Sequence, residues 1–159
     1  MPANSRSHDA SEWFATPLGR YLLEREQAYF DNAVADIFGY NAFQLGLTGL
    51  DLLRSSRILL RCRVDLDGTA GLRADFRDLP IASNSVDLAV LPHALEFNDN
   101  PHQILREVAR VLRPEAHVVI SSFNPWSLWG VRRAFWKKRE YPWNGRFLHL
   151  MRLKDWCAL

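Results

Sequence analysis

The stretch Leu72–Asn124, LRADFRDLPIASNSVDLAVLPHALEFNDNPHQILREVARVLRPEAHVVISSFN, decides the fold. Ser85 to Leu91 (SVDLAVL) is a nearly continuous apolar run, the mark of a strand covered on both faces. Asn100-Pro101 then supplies an N-cap and a first-turn proline. Ile104, Leu105, Val108, Ala109 and Leu112 recur at helical spacing behind it. Arg113-Pro114 stops that helix, because the residue before a proline is pushed out of the helical region. His117 to Ser122 (HVVISS) reads as a second buried strand. Strand, crossover helix and strand make a right-handed parallel βαβ unit. Just upstream, Arg73 to Phe76 is a short run ending in acid and aromatic, closed by Leu79-Pro80.

Composition bounds the rest. With 159 residues and 48% hydrophobic content the chain holds one domain with one sizeable core. Its expected parts are an N-terminal tail and helix (1–40), a sheet core (41–124), and a Trp-rich basic segment leading into a further helix (125–159). No apolar run reaches the roughly 18 residues a membrane span needs. The start, MPANSRSHDASEW, lacks the apolar centre of a secretory signal. Cys62 and Cys157 lie far apart, and reduced thiols in a cytoplasmic protein are the simple reading. A net charge of only +2 means that any basic partner surface must be local.

Thr16-Pro17 is a second N-cap-plus-proline start. The spacing predicts a helix over Leu18 to Phe38, with Leu22, Tyr29, Val34 and Phe38 among its apolar positions and Gly39 as its C′ residue. Asn41 to Gly46 (NAFQLG) follows that helix. Ile58, Leu60, Cys62 and Val64 then alternate with Leu59, Arg61 and Arg63, the pattern of a half-exposed strand. Asp67-Gly68 offers a hairpin turn, with Gly71 to Phe76 as the return. A parallel connection needs about a dozen residues or more, so an antiparallel pair is expected here.

DFRDLPIASNSVDLAVLPHALEF and NPHQILREVARVLRP together resemble the S-adenosylmethionine-dependent methyltransferases of the type 11 group. The first resembles that family's acid-x-x-LPF…SFD-strand pattern, and the second its Leu-x-Glu-x-x-Arg-Val-Leu-x-Pro helix. The resemblance implies an α/β fold: a Rossmann-like sheet, here with mixed strands, an N-terminal helix, and an end soon after the fifth of the family's seven strands. It also implies S-adenosylmethionine as cofactor. At the family's glycine-rich loop this chain reads QLGLTGL. Gly46 fits the first glycine, Gln44 stands where an acid is usual, and Thr48 or Gly49 must serve for the rest. An ordinary turn explains the same residues.

In open α/β sheets the ligand lies outside the carboxyl ends of the strands at the switch point. By resemblance, Asp75 accepts from the adenine amino group and Phe76 packs near the ring, beside Leu91 at the end of the next strand. The competing reading of Asp75 is a surface acid paired with Arg73 or Arg77. A hairpin would put Asp65 and Asp67 at the wrong edge for the ribose; the ribose acid implied by the resemblance is then absent or comes from Asp51, which also suits a cap for the LDLLRSS turn. His93 follows the fourth strand near the expected methyl group, where it is either a general base or a wall of the pocket. His102 and Glu107 read as exposed or structural.

Between 125 and 146, Trp126, Trp129, Phe135, Trp136 and Trp143 interleave with Arg132, Arg133, Lys137, Lys138 and Arg139. A lid over a small or lipid-like methyl acceptor is the first reading, and a peripheral membrane contact the second. No nucleic acid is expected, since no recognised module accompanies the basic residues. A solvated face is the bland option. Methyl transfer is thus the expected function, and a non-catalytic binding module built on the same fold is the alternative.

Overall fold

The computed structural model of the chain describes residues 12–66, 70–124, 126, 142, 145 and 147–157. Asp67-Gly68 and nearly all of the Trp-rich basic segment lie outside the described residues. Helix α1 (Pro17–Ala35) begins as its sequence requires, with Thr16 accepting from the Gly19 amide at 3.1 Å and Pro17 opening the first turn. Strand β1 (Asn41–Leu45) follows, then β2 (Leu60–Asp65), β3 (Leu72–Arg73) and β4 (Val86–Pro92). Helix α2 (Pro101–Val111) leads straight into β5 (Leu112–Ser121), and α3 (Leu150–Cys157) closes the described chain. Asn100 caps α2 by accepting from the Gln103 amide.

The five strands pair in the order β3-β2-β1-β4-β5, and every pairing is parallel. The expected hairpin is therefore wrong: Val64 pairs with Leu72 and Asp65 with Arg73 in parallel register. The reason is the length of β3. It pairs only two residues, so the chain needs to travel back only a short way before re-entering the sheet. The mixed sheet expected from that hairpin is corrected with it, and Asp65 returns to the carboxyl edge.

Strand β4 justifies its apolar run. Ala89 and Leu91 join a core with Ile104, Leu105, Val108 and Val111 of α2, while Leu88 and Val90 join Phe30 and Val34 of α1 on the opposite face. Two apolar faces therefore hold one strand. Val111 takes the buried place expected of Ala109, which is exposed. Strand β5 is less covered than HVVISS suggests, because it is the last strand in the described sheet, and Val118 is 38% exposed.

Helix α1 ends before Phe38, which is 70% exposed, and Tyr29 also faces outward. Gly39 is not a helix cap. A Cβ there would lie 2.3 Å from the Asp87 Cβ, so the glycine makes room for that side chain. Asp87 Oδ2 accepts the Tyr40 and Asn41 amides at 2.7 and 2.9 Å, pinning the start of β1 to β4. Burial opposes the Asp87 charge, but these amides and Arg113 outweigh it and hold the carboxyl below its usual range. Glu107 is structural, as one reading had it. It accepts the Leu79 amide at 3.0 Å, and Arg110 binds both Glu107 and the carbonyls of Leu79 and Ile81. The Glu-x-x-Arg of α2 thereby ties down the loop before β4.

Candidate functional site

The switch point falls between β1 and β4, since the chain runs from β1 to β2 on one side and returns to β4 on the other. Gly46 follows β1 at φ +88°, a conformation that penalises any side chain. A Cβ there would sit 3.7 Å from the Phe76 ring and 3.8 Å from the Pro92 carbonyl. The segments after β1 and β3 and the end of β4 thus meet at this glycine. Its amide donates to the Val64 carbonyl at 2.9 Å, bringing β2 and Asp65 to the same edge.

Gln44 organises the loop that follows. Fully buried, it donates from Nε2 to the carbonyls of Gly46, Leu47 and Leu50 and accepts the Leu52 amide on Oε1. A carboxylate could not donate these bonds. An amide therefore stands where an acid was expected because this loop is wound around it. No helix forms between β1 and β2 among the described residues, so the turns held by Gln44 replace a crossover helix. Gly49 is exposed, and a Cβ there would touch nothing within 4 Å.

The other expected residues divide. Phe76 is 9% exposed and packs in the core, and Leu91 is wholly buried there, so Leu91 can line an edge only through its backbone. Asp75 is bound by Arg77, whose backbone amide and Nε donate to Oδ1 at 2.9 and 3.0 Å and whose Nη2 reaches Oδ2 at 2.6 Å. That pairing holds the Asp75 carboxyl below its usual range. Asp51 is exposed and accepts the Leu53 amide, the turn-capping role.

His93 is not placed to act as a free base. It is 4% exposed, at φ +50°, and both ring nitrogens are engaged. Nδ1 donates to Glu96 Oε1 at 2.6 Å and Nε2 to Glu26 Oε1 at 2.7 Å. Burial works against the imidazolium, but the two carboxylates outweigh it and raise the pKa to about 10. Held protonated at neutral pH, it has no lone pair for an incoming proton. The ring also lies 4.4 Å from that of Phe123, whose amide donates to Glu96 Oε1. Glu26 and Glu96 were not singled out from sequence. The signals were there: Glu26 lies on the stripe between Leu22 and Phe30, and Glu96 is three residues after His93.

Glu26 also opens onto a cleft of about 570 Å³ between α1, β5 and α3. Among the described residues no group of three or more His, Cys, Asp or Glu could hold a metal. Nor is any described helix long and apolar enough to cross a membrane.

A methyltransferase-domain family model matches residues 33–120, from the last turn of α1 almost to the end of β5. The chain belongs to the methyltransferase-domain family. Among curated proteins this methyltransferase domain is 30% identical over 150 residues to the uncharacterized protein YafS of Escherichia coli (strain K12), covering 92% of this chain and 62% of that one. It is 26% identical over 146 residues to the malonyl-[acyl-carrier protein] O-methyltransferase of Buchnera aphidicola subsp. Baizongia pistaciae, covering 88% and 59%. The chain therefore spans about three-fifths of the length of these relatives. A solved S-adenosylmethionine-dependent methyltransferase of Thermotoga maritima shares the fold at a TM-score of 0.65 and 19% identity, covering 87% of this chain and 76% of that one. The family's cofactor is S-adenosylmethionine.

Toward the nucleoside half of that cofactor the chain offers acceptors, although Asp75 is shared with Arg77. Two carboxylates, Asp65 at the end of β2 and Asp75 after β3, stand on the carboxyl edge beside a bare backbone at Gly46. Such acids suit ribose hydroxyls and an adenine amino group, which need acceptors. The methionine half finds less, because the Gln44-bound turns replace the helix whose N-terminus would face a carboxylate.

Proposed function

We propose that the chain carries the cofactor-binding part of an S-adenosylmethionine-dependent methyl transfer to a small or lipid-like acceptor. The supporting observation is the convergence of Gly46, Phe76 and Pro92 at the switch point, with Asp65 and Asp75 on the same edge. Asp65 would accept from the ribose hydroxyls and Asp75 from the adenine amino group, with the Gly46 backbone leaving room between them. When bound, the cofactor supplies a methyl already activated on a sulfonium, so the chain's own work is alignment and exclusion of water. Leu91 to His93 close the β4 side, with His93 fixing the position of α1 through Glu26. An acyl acceptor is in keeping with the relative that acts on malonyl-[acyl-carrier protein].

The second reading, a binding module without catalysis, is favoured by one observation: Gln44 fills the turn where a glycine loop would hold the methionine end. Calorimetric titration with S-adenosylmethionine and S-adenosylhomocysteine tests both. Asp65→Ala and Asp75→Ala should each weaken binding by about 1.5–3 kcal/mol, the scale of a hydrogen bond to a charged group. Unchanged affinity in a folded Asp75→Ala protein would leave Asp75 only its tie to Arg77. Absence of binding to the unaltered protein would favour the module.

A further inference from the structure

The turns that follow β1 spend their polar groups on the protein itself. Gln44 is wholly buried, and its Nε2 donates to the carbonyls of Gly46, Leu47 and Leu50 at 3.0, 3.1 and 3.0 Å. Carbonyls bound to a buried amide point into the protein and not out at a ligand. Arg63 of β2 reaches the Thr48 carbonyl at 2.7 Å. Among the loop amides, Leu50 donates to the Leu47 carbonyl, Leu52 to Gln44 Oε1 and Leu53 to Asp51. Leu47 stands at φ +45°, a left-handed conformation that a leucine keeps only where its surroundings impose it. The loop is thus wound in one shape around Gln44.

We infer, resting on the cofactor reading above, that the switch-point edge reads the nucleoside of an S-adenosyl compound and leaves its amino-acid tail unheld. That tail carries an ammonium and a carboxylate, so holding it takes acceptors and donors together. The loop after β1 has committed both kinds of group. Arg61 and Arg63, the two arginines that reach this loop, are spent on its carbonyls and not on a carboxylate. Gly46 differs from the turns behind it. The place of its missing Cβ lies 3.7 Å from the Phe76 ring and 3.8 Å from the Pro92 carbonyl, with Asp65 at the end of β2 and Asp75 after β3 on the same edge. Acceptors and a ring suit hydroxyls, an exocyclic amine and a base, which the nucleoside supplies.

Calorimetric titration of the whole chain should compare S-adenosylhomocysteine with 5′-methylthioadenosine, which keeps the thioether nucleoside and lacks the amino-acid tail. S-adenosylhomocysteine should bind no more than about fivefold tighter, about the net worth of one hydrogen bond. Gly49→Leu should move neither affinity by more than about twofold, since a Cβ there meets nothing within 4 Å. Gly46→Ala should weaken both ligands by the same factor, about tenfold or more, with circular dichroism checking the fold. Asp65→Asn, which keeps the shape of the side chain and loses its charge, should also weaken both alike by about tenfold. A preference for S-adenosylhomocysteine above about fivefold would overturn the inference and leave the cofactor reading standing. So would a loss on Gly49→Leu, or on either edge variant, that is confined to S-adenosylhomocysteine. Failure of both ligands to bind would instead sink the cofactor reading and this inference with it.

Discussion

Replacing His93 by Asn should expose how the N-terminal helix is fastened to the sheet. Asn tolerates the left-handed backbone at φ +50° and keeps a donor near the place of Nδ1. It cannot reach Glu26, and it carries no charge. Glu96, 1% exposed, would then keep a carboxylate inside the protein with the Phe123 amide and the new side chain as its only bonds among the described residues. Removing one member of a buried ion pair costs about 3–5 kcal/mol, and the retained donor places this case near the lower end, at about 3 kcal/mol at pH 7. The cost should depend on pH with a definite sign. The His93 pKa is raised to about 10 in the folded protein, against about 6.5 unfolded. Its stabilisation is therefore whole below about 6.5 and lost as pH rises through about 10, at up to about 1.4 kcal/mol per pH unit. Urea denaturation of both proteins from pH 6 to pH 10, followed by circular dichroism, measures the gap. It should close with rising pH. A gap that stays constant across that range, or one under about 1 kcal/mol at pH 7, would show that the Glu26–His93–Glu96 cluster does not hold α1 in place.

Gln44→Ala should cost about 3 kcal/mol in the same assay, because it strands three carbonyls and the Leu52 amide around a buried site. A loss under 1 kcal/mol would mean that the loop does not depend on that amide. Gly39→Ala should destabilise by about 1–3 kcal/mol through its collision with Asp87, and a neutral result would show that the start of β1 can give way there.

What the sequence settled by itself was local. The Ser85–Leu91 run could be covered on both faces only inside a layered sheet, and Asn100-Pro101 and Thr16-Pro17 each start a helix because the chemistry of a helix N-terminus lies within four residues. The acid, aromatic and Leu-Pro run after β3, read with the Leu-x-Glu-x-x-Arg helix, was enough to point to the family. Its Glu107 and Arg110 are in fact what fastens that run to α2. The tertiary structure decided everything that depends on who stands beside whom. The short link between β2 and β3 looked like a hairpin because connection length was weighed without knowing that β3 pairs at only two positions. Gly39 looked like a helix cap, and only the approach of Asp87 from β4, distant in sequence, shows what the glycine is for. His93 could be read as a base or as a pocket wall, the first because its ordinary pKa is near neutral. Its partners lie on α1 and on the turn after β4, and the carboxylate from α1 is 67 residues away along the chain. A pKa is set by the charges around a group, and those neighbours exist only once the chain has folded.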